Sequence, residues 1–276
     1  MAITLLKNIK ASLFVSTYNM PKHLELVCAG LERQSTNDFE VYFCDDGSGS
    51  DTAKIISNFK SHVGFPVHHV WQENRGFRKC AILNTALRQA KGSICIFLDG
   101  DCIPHRHFIQ DHLNYSEKGY YLAGRRVELG PELSQSLSPE LVTSGFFNYP
   151  NRQMILSCFK GDSQYLNRCF RLPWAPLRSL FNLNQVVDLK GCNYSVSRES
   201  LLAINGFDEA YEGYGREDTD IEIRLQNLGL EIKSLKGVAL QFHVWHPRRD
   251  FTPVNDDRLD EARKTKRIRC EKGITS

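Results

Sequence analysis

"SICIFLDGD", residues 93–101, climbs through an apolar run and stops on two acids, Asp99 and Asp101, with only Gly100 between them. A short run so rich in isoleucine, phenylalanine and leucine reads as a buried strand. Side chains alternate along extended chain, so Asp99 and Asp101 are expected to point the same way and to converge on one cation. Gly100 is expected to be small because the backbone there approaches a ligand closely.

Upstream, the same unit recurs. "ASLFVST" (11–17) is a compact strand, and Asn19 followed by Pro21 starts a helix carrying Leu24, Val27, Cys28 and Leu31 at helical spacing. "FEVYFC" (39–44) is a second strand that runs into the turn residues "DDGSGSD". A helix near 52–62, a strand near 67–71 and a helix near 78–90 follow. Repeated strand–helix units imply a mostly parallel sheet covered on both faces, an α/β fold, with the acidic tips at the strand ends where such sheets bind ligands.

Downstream, residues 120–185 mix aromatics, prolines and arginines without clear periodicity and read as a loop-rich cover over the sheet edge. From Asp218 a helix is expected, with Ile221, Leu225 and Leu228 on one stripe and Gly229 as its stop. His243 and His246 follow three residues apart, after a strand. Lysine and arginine crowd residues 258–272, which reads as a solvated helix or as a foot on an anionic membrane surface.

The 276 residues are 41% hydrophobic and carry a net charge of +3, too small a surplus to make nucleic acid the principal partner. Lys7 and Lys10 break the N-terminal apolar stretch, and no secretory leader is expected. No run is long enough to span a membrane. Nine scattered cysteines without a CxxC pair read as reduced thiols in a cytoplasmic protein rather than a disulfide framework or zinc site.

Each constellation has a plain reading beside a chemical one. Asp101 with His243 or His246 would suit manganese, yet paired histidines also serve as packing residues. Asp45 and Asp46 either cap a turn or accept the N–H of a uracil base. Glu217, Asp218 and Asp220 favour a helix N-terminus electrostatically, but four carboxylates between 217 and 222 exceed that need, and one could take the proton of an attacking hydroxyl. Arg78 and Lys79 open a helix where cations and free amides would hold a diphosphate, or they are surface charge. Asp99 also fits the nucleophile of a haloacid-dehalogenase-type phosphatase.

Taken in order, "VSTYN" (15–19), "DDGS" (45–48), "NRGFRK" (74–79) and "LDGD" (98–101) resemble the nucleotide-sugar half of family 2 glycosyltransferases of GT-A fold. "GCNYSVSRESLLAINGFDEAYEGYGREDTDIEIRL" (191–225) is similar to a block shared by β-1,4-galactosyltransferases and chondroitin-polymerase domains. The resemblance implies donor contacts at Ser16, Tyr18, Asp46, Arg78, Lys79, Asp99 and Gly100, and a metal, Mn2+ or Mg2+, at Asp101 with His243 or His246. It further implies acceptor contacts at Tyr214 and Glu217 and a base at Asp218. Residues 1–125 would then bind the nucleotide sugar, 126–255 the acceptor, and 256–276 form a basic tail. The expected activity is inverting transfer of a hexose or N-acetylhexosamine from a UDP-sugar to a saccharide, lipid-linked in one version, for a bacterial surface polysaccharide. Localisation would be cytoplasmic, extending to the inner face of the membrane through the tail. A phosphatase and a non-catalytic carbohydrate-binding module stand as alternatives.

Overall fold

The computed structural model describes residues 9–185, 188–247 and 252–275, so the leader reading of residues 1–8 lies outside them. Among the described residues ten strands occur: β1 (Ala11–Thr17), β2 (Phe39–Asp45), β3 (Val67–Trp71), β4 (Ile94–Asp99), β5 (Cys102–Pro104), β6 (Tyr120–Ala123), β7 (Val127–Glu128), β8 (Asn193–Ser197), β9 (Glu231–Ser234) and β10 (Gln241–His243). The main sheet has the order β3-β2-β1-β4-β8-β6-β9 and a smaller one the order β5-β10-β7. In the main sheet only β8 runs against its neighbours.

Alternation along β1 splits the core into two layers. Leu13 and Val15 face the helices Pro21–Glu32 and Ser50–His62, meeting Leu24, Val27, Ile56 and Phe59. Phe14 faces the opposite way, into stacked rings that run Tyr42–Phe14–Phe97–Tyr194 with centroids 5.6, 5.0 and 4.4 Å apart. The helices Lys79–Gln89 and Glu217–Asn227 close that side with Ile82, Leu83, Ile221 and Leu225. Gly229, at φ 93°, ends the second of them in the left-handed conformation.

Two expectations change. Residues 120–185 are not a loose cover throughout: Tyr120–Ala123 enters the main sheet beside β8, and short helices, among them Pro131–Gln135 and Arg152–Phe159, fill much of the rest. Four strand residues and five- to eight-residue helices are too short to display a period. The basic C-terminal stretch belongs to the packed domain. Its helix Val254–Thr265 buries Leu259 and Ala262, and beyond it Arg267 Nη2 reaches Asp208 at 2.7 Å and Asp220 at 3.2 Å.

Candidate active site

Strand register brings the site together. Ser16 pairs with Cys44 on one side and Asp99 on the other, so β1, β2 and β4 end level, and Asp45, Asp46 and Asp99 emerge at one edge. Leu98 lies opposite Asn193 on the antiparallel β8, which brings Gly191 to the same edge. In the small sheet His243 is paired with Cys102 and with Glu128, and Val244 N–H donates to the Asp101 carbonyl at 2.8 Å. One cavity of about 1160 Å³ joins these ends.

Asp99 and Asp101 do not converge. Strand β4 stops at Asp99, and Gly100 and Asp101 form a turn, so the alternation that would align the two carboxylates is broken. Within the protein itself Gly100 has a packing reason to be small: a Cβ there would lie 2.8 Å from the Ser16 carbonyl, which accepts the Gly100 N–H at 2.7 Å.

Asp101 turns to the histidines. His246 Nε2 lies 3.2 Å from its Oδ2, His243 Nε2 lies 3.8 Å from its Oδ1, and the donor atoms of all three fall within 4.8 Å of one another. His243 Nδ1 donates to Glu128 Oε2 at 2.7 Å, and Arg126 Nε anchors the other Glu128 oxygen at 2.7 Å. His246 Nδ1 donates to the Pro247 carbonyl at 2.8 Å. The two Nε2 atoms lie 3.2 Å apart, and which of them carries a proton follows from the tautomers. The spacing matches neighbouring ligands at right angles around an ion with bonds of roughly 2.1 Å. Carboxylate plus two imidazoles is a donor set that a divalent first-row metal accepts, so the residues fit a metal and both histidines qualify. Burial works against the Asp101 anion, but the His246 hydrogen bond and the field of His243 outweigh it and hold its carboxyl well below the usual range.

Asp99 turns to a different partner. Lys79 Nζ lies 3.2 Å from Asp99 Oδ1, largely sheltered from solvent. Burial opposes the lysine's charge, yet Asp99, Asp218 and Glu217 together raise its pKa well above normal. Glu217 opens the acidic helix, accepts the Gly215 N–H at 3.1 Å and reaches the cavity wall. Burial, and then the Asp218 charge, push its carboxyl up to about 7. Asp218 is also raised, chiefly by burial, with Lys79 pulling the other way. Its carboxylate sits over Gly191, where a Cβ would come within 1.9 Å of Oδ2. Before the helix, Gly213, Gly215 and Arg216 all have positive φ, and Arg216 Nε is fixed to Asp256 at 2.5 Å.

Of the remaining expected residues, Ser16, Tyr18, Asp46 and Tyr214 line the cavity and Arg78 does not. Ser16, Tyr18 and Asp46 line one end, with Tyr18 Oη accepting from Asn74 Nδ2 at 2.9 Å. Asp46 Oδ2 accepts the backbone N–H of Arg78 at 2.7 Å, while the Arg78 guanidinium donates to the Glu73 carbonyl at 2.6 Å. Asp45 is the turn cap: it is buried, accepts the Ser48 N–H at 2.8 Å and pairs with His69 at 2.9 Å. Tyr214 is 44% exposed on the cavity wall with its ring edge-on to Phe77. Glu128 and Gly191 were not singled out in the sequence. Glu128 lies in a two-residue strand with no periodic signal, and the need for Gly191 arises only once Asp218 is folded over it.

The Asp101–His243–His246 group and the lysine-centred acid cluster thus lie at the C-terminal edge of a sheet of GT-A fold, where such sheets bind their ligands. The chain belongs to glycosyl transferase family 2, whose profile matches residues 12–171; residues 184–247 match a second profile, described as the N-terminal domain of galactosyltransferase. It is 26% identical over 266 residues to a chondroitin synthase of Pasteurella multocida, covering 88% of this chain but only 26% of that longer protein. Among solved structures it resembles S. aureus TarS 1–349 in complex with UDP, with a TM-score of 0.60, 17% identity, and 96% of this chain and 67% of that one covered. It also resembles a mannosyltransferase from Pyrobaculum calidifontis in complex with GDP-Man and Mn2+, with a TM-score of 0.59, 17% identity, and 88% and 58% covered. Among the described residues no helix is long and apolar enough to cross a membrane, and all nine cysteines are unpaired.

Proposed function

We propose that this protein is an inverting, metal-dependent transferase that moves a hexose or N-acetylhexosamine, of galactose, glucose or N-acetylgalactosamine type, from a UDP-sugar to a saccharide acceptor. The observation that carries the reading is the separation of two carboxylate groups: Asp101 is turned to His243 and His246, with the donor atoms of all three within 4.8 Å of one another, while Asp99, Glu217 and Asp218 all act on Lys79; Asp99, Asp101 and Glu217 line one cavity. The UDP in TarS and the Mn2+ in the mannosyltransferase support the choice of nucleotide and ion.

Asp101, His243 and His246 would hold Mn2+ or Mg2+, which when bound would offset charge developing on the leaving diphosphate. Ser16, Tyr18 and Asp46 would seat the uridine end, and Tyr214 would present its ring to the acceptor sugar. Asp218 takes the proton of the acceptor hydroxyl as that oxygen bonds to the anomeric carbon; the bond from that carbon to the diphosphate breaks on the opposite face, and UDP leaves with its electron pair. Lys79 favours the ionised form of both acids against the burial that raises their pKa values. Holding both sugars in line supplies much of the remaining acceleration.

A second reading has its own support: Glu217 reaches the cavity wall and titrates near neutrality, so Glu217 is the base and Asp218 its neighbour. Comparing Glu217→Gln with Asp218→Asn separates them, since the base variant loses turnover at saturating acceptor and the other loses mainly acceptor affinity. A cytoplasmic bacterial setting, with a surface polysaccharide or lipid-linked saccharide as acceptor, completes the proposal. The test is a UDP-sugar panel with Mn2+ and mixed saccharide acceptors, read as UDP release and sugar transfer. One productive UDP-sugar is expected; phosphate-ester hydrolysis without transfer, or sugar binding without turnover, would replace this reading with the phosphatase or the binding module.

A further inference from the structure

The cavity does not end at the cation cradle. Past His243 it continues along Gln164, Tyr165 and Trp245, residues that neither the uridine end nor the acid cluster uses. Its 1160 Å³ exceeds the ~300–1,000 Å³ typical of a pocket for one small ligand.

Two half-exposed rings line this extension, Tyr165 at 46% and Trp245 at 45%. Both are held in place. Tyr165 has φ 64° and ψ 43°, a left-handed backbone that costs a bulky residue of order 1 kcal/mol or more, and the Arg168 guanidinium lies 3.7 Å over its ring. Arg168 is itself tied to the Arg126 carbonyl at 3.0 Å. One ring face is thus covered and braced. Trp245 is fixed through its backbone, its N–H donating to Ser134 Oγ at 2.9 Å and its carbonyl accepting from His23 at 3.2 Å. The extension is joined to the cradle through main chain, because Gln164 and Glu128 exchange backbone hydrogen bonds of 2.8 and 3.3 Å and Glu128 holds His243.

Exposed aromatic faces beside a few polar groups match one chemistry well. A pyranose ring offers an apolar C–H face and a rim of hydroxyls, and it can lie on Tyr165 or Trp245 while Gln164 and Asp162 meet its edge. We propose that Tyr165 and Trp245 form a saccharide subsite for a unit of the acceptor chain beyond the one at Tyr214, so that the enzyme selects oligosaccharides over single sugars. This rests on the transferase reading above.

The test uses β-linked glucose, β-linked galactose and chondroitin oligosaccharides of one, two and four units. Affinity is measured with UDP and Mn2+ present, and transfer is measured with the productive donor. The wild type should prefer four units to one by about ten-fold in the responding series. Tyr165→Ala and Trp245→Ala should bring that ratio close to one, and Tyr165→Phe should keep it. Absence of length preference in the wild type, or an undiminished preference in Tyr165→Ala, would overturn the subsite. So would a Tyr165→Ala defect that falls on UDP affinity instead, since the rings would then serve the nucleotide. Trp245 adjoins His246, so Mn2+-dependent UDP affinity is checked in its variant, and Tyr165→Ala decides if that affinity falls. Failure of the transferase reading looks different: the wild type then releases no UDP from any donor, whatever the length of the saccharide offered.

Discussion

Asp99 and Asp101 stand two residues apart and belong to different electrostatic systems. Around Asp101 the protein gathers a carboxylate and two imidazole nitrogens whose other ring nitrogens are already committed, leaving a place for an external cation. Around Asp99 it supplies the cation itself, Lys79, and crowds Glu217 and Asp218 against it. The turn at Gly100 is what separates them. In the proposed reading the first system would hold a metal and the second would move a proton, so each is expected to break without the other.

The largest effect is expected from Asp218→Asn. Transfer should fall by about 10²–10⁴-fold while Mn2+-dependent UDP affinity stays within a few-fold, as steady-state rates and calorimetry would reveal. Near-normal turnover would move the base to Glu217. Asp101→Asn should do the reverse in binding, abolishing the increment in UDP affinity that Mn2+ confers. Glu128→Gln leaves the three ligands in place but loosens His243, and metal affinity should drop roughly 10–100-fold; an unchanged affinity would remove Glu128 from the site.

The acid cluster also predicts a pH profile. A base must be deprotonated, so kcat/KM should rise with pH through an acid limb above the ordinary carboxylate range, and, if Glu217 is the base, near the value of about 7 to which it is pushed. Lys79 favours the ionised acids, so Lys79→Met should move that limb to higher pH; a limb left in place would detach Lys79 from the pair. The smallest effect concerns stability. Glu217 binds its proton more tightly folded than unfolded, so between the ordinary carboxylate range and pH 7 the folded state holds the extra proton and stability falls as pH rises. Glu217→Gln should therefore melt a few degrees higher at pH 8, seen by calorimetry, while losing activity.

Much of this was legible in the sequence, and the failures share a cause. Strands β1 to β4, the helices beside them and the acidic helix all carry long periodic signals, and the structure places them within about two residues of expectation. Ser16, Tyr18, Asp46, Asp101, Tyr214, Glu217 and both histidines come to one cavity or its walls, and His243 and His246 both face Asp101. What the sequence could not show depended on register. The two-residue alternation assumed that β4 runs through Asp101, and it stops at Asp99. The acidic surroundings of Lys79 were not visible locally, because Asp99 lies 20 residues on and Glu217 and Asp218 more than a hundred. Glu128 and β6 lie in pieces too short for any period to appear.

The separation of the two carboxylate systems is tested most directly by locating the ion. Anomalous scattering from crystals grown with Mn2+ and UDP should place one manganese roughly 2.1 Å from His243 Nε2 and His246 Nε2 and in contact with the Asp101 carboxylate, with Asp99 still on Lys79. A manganese bound by Asp99, or one that leaves both histidines uncoordinated, would contradict the account.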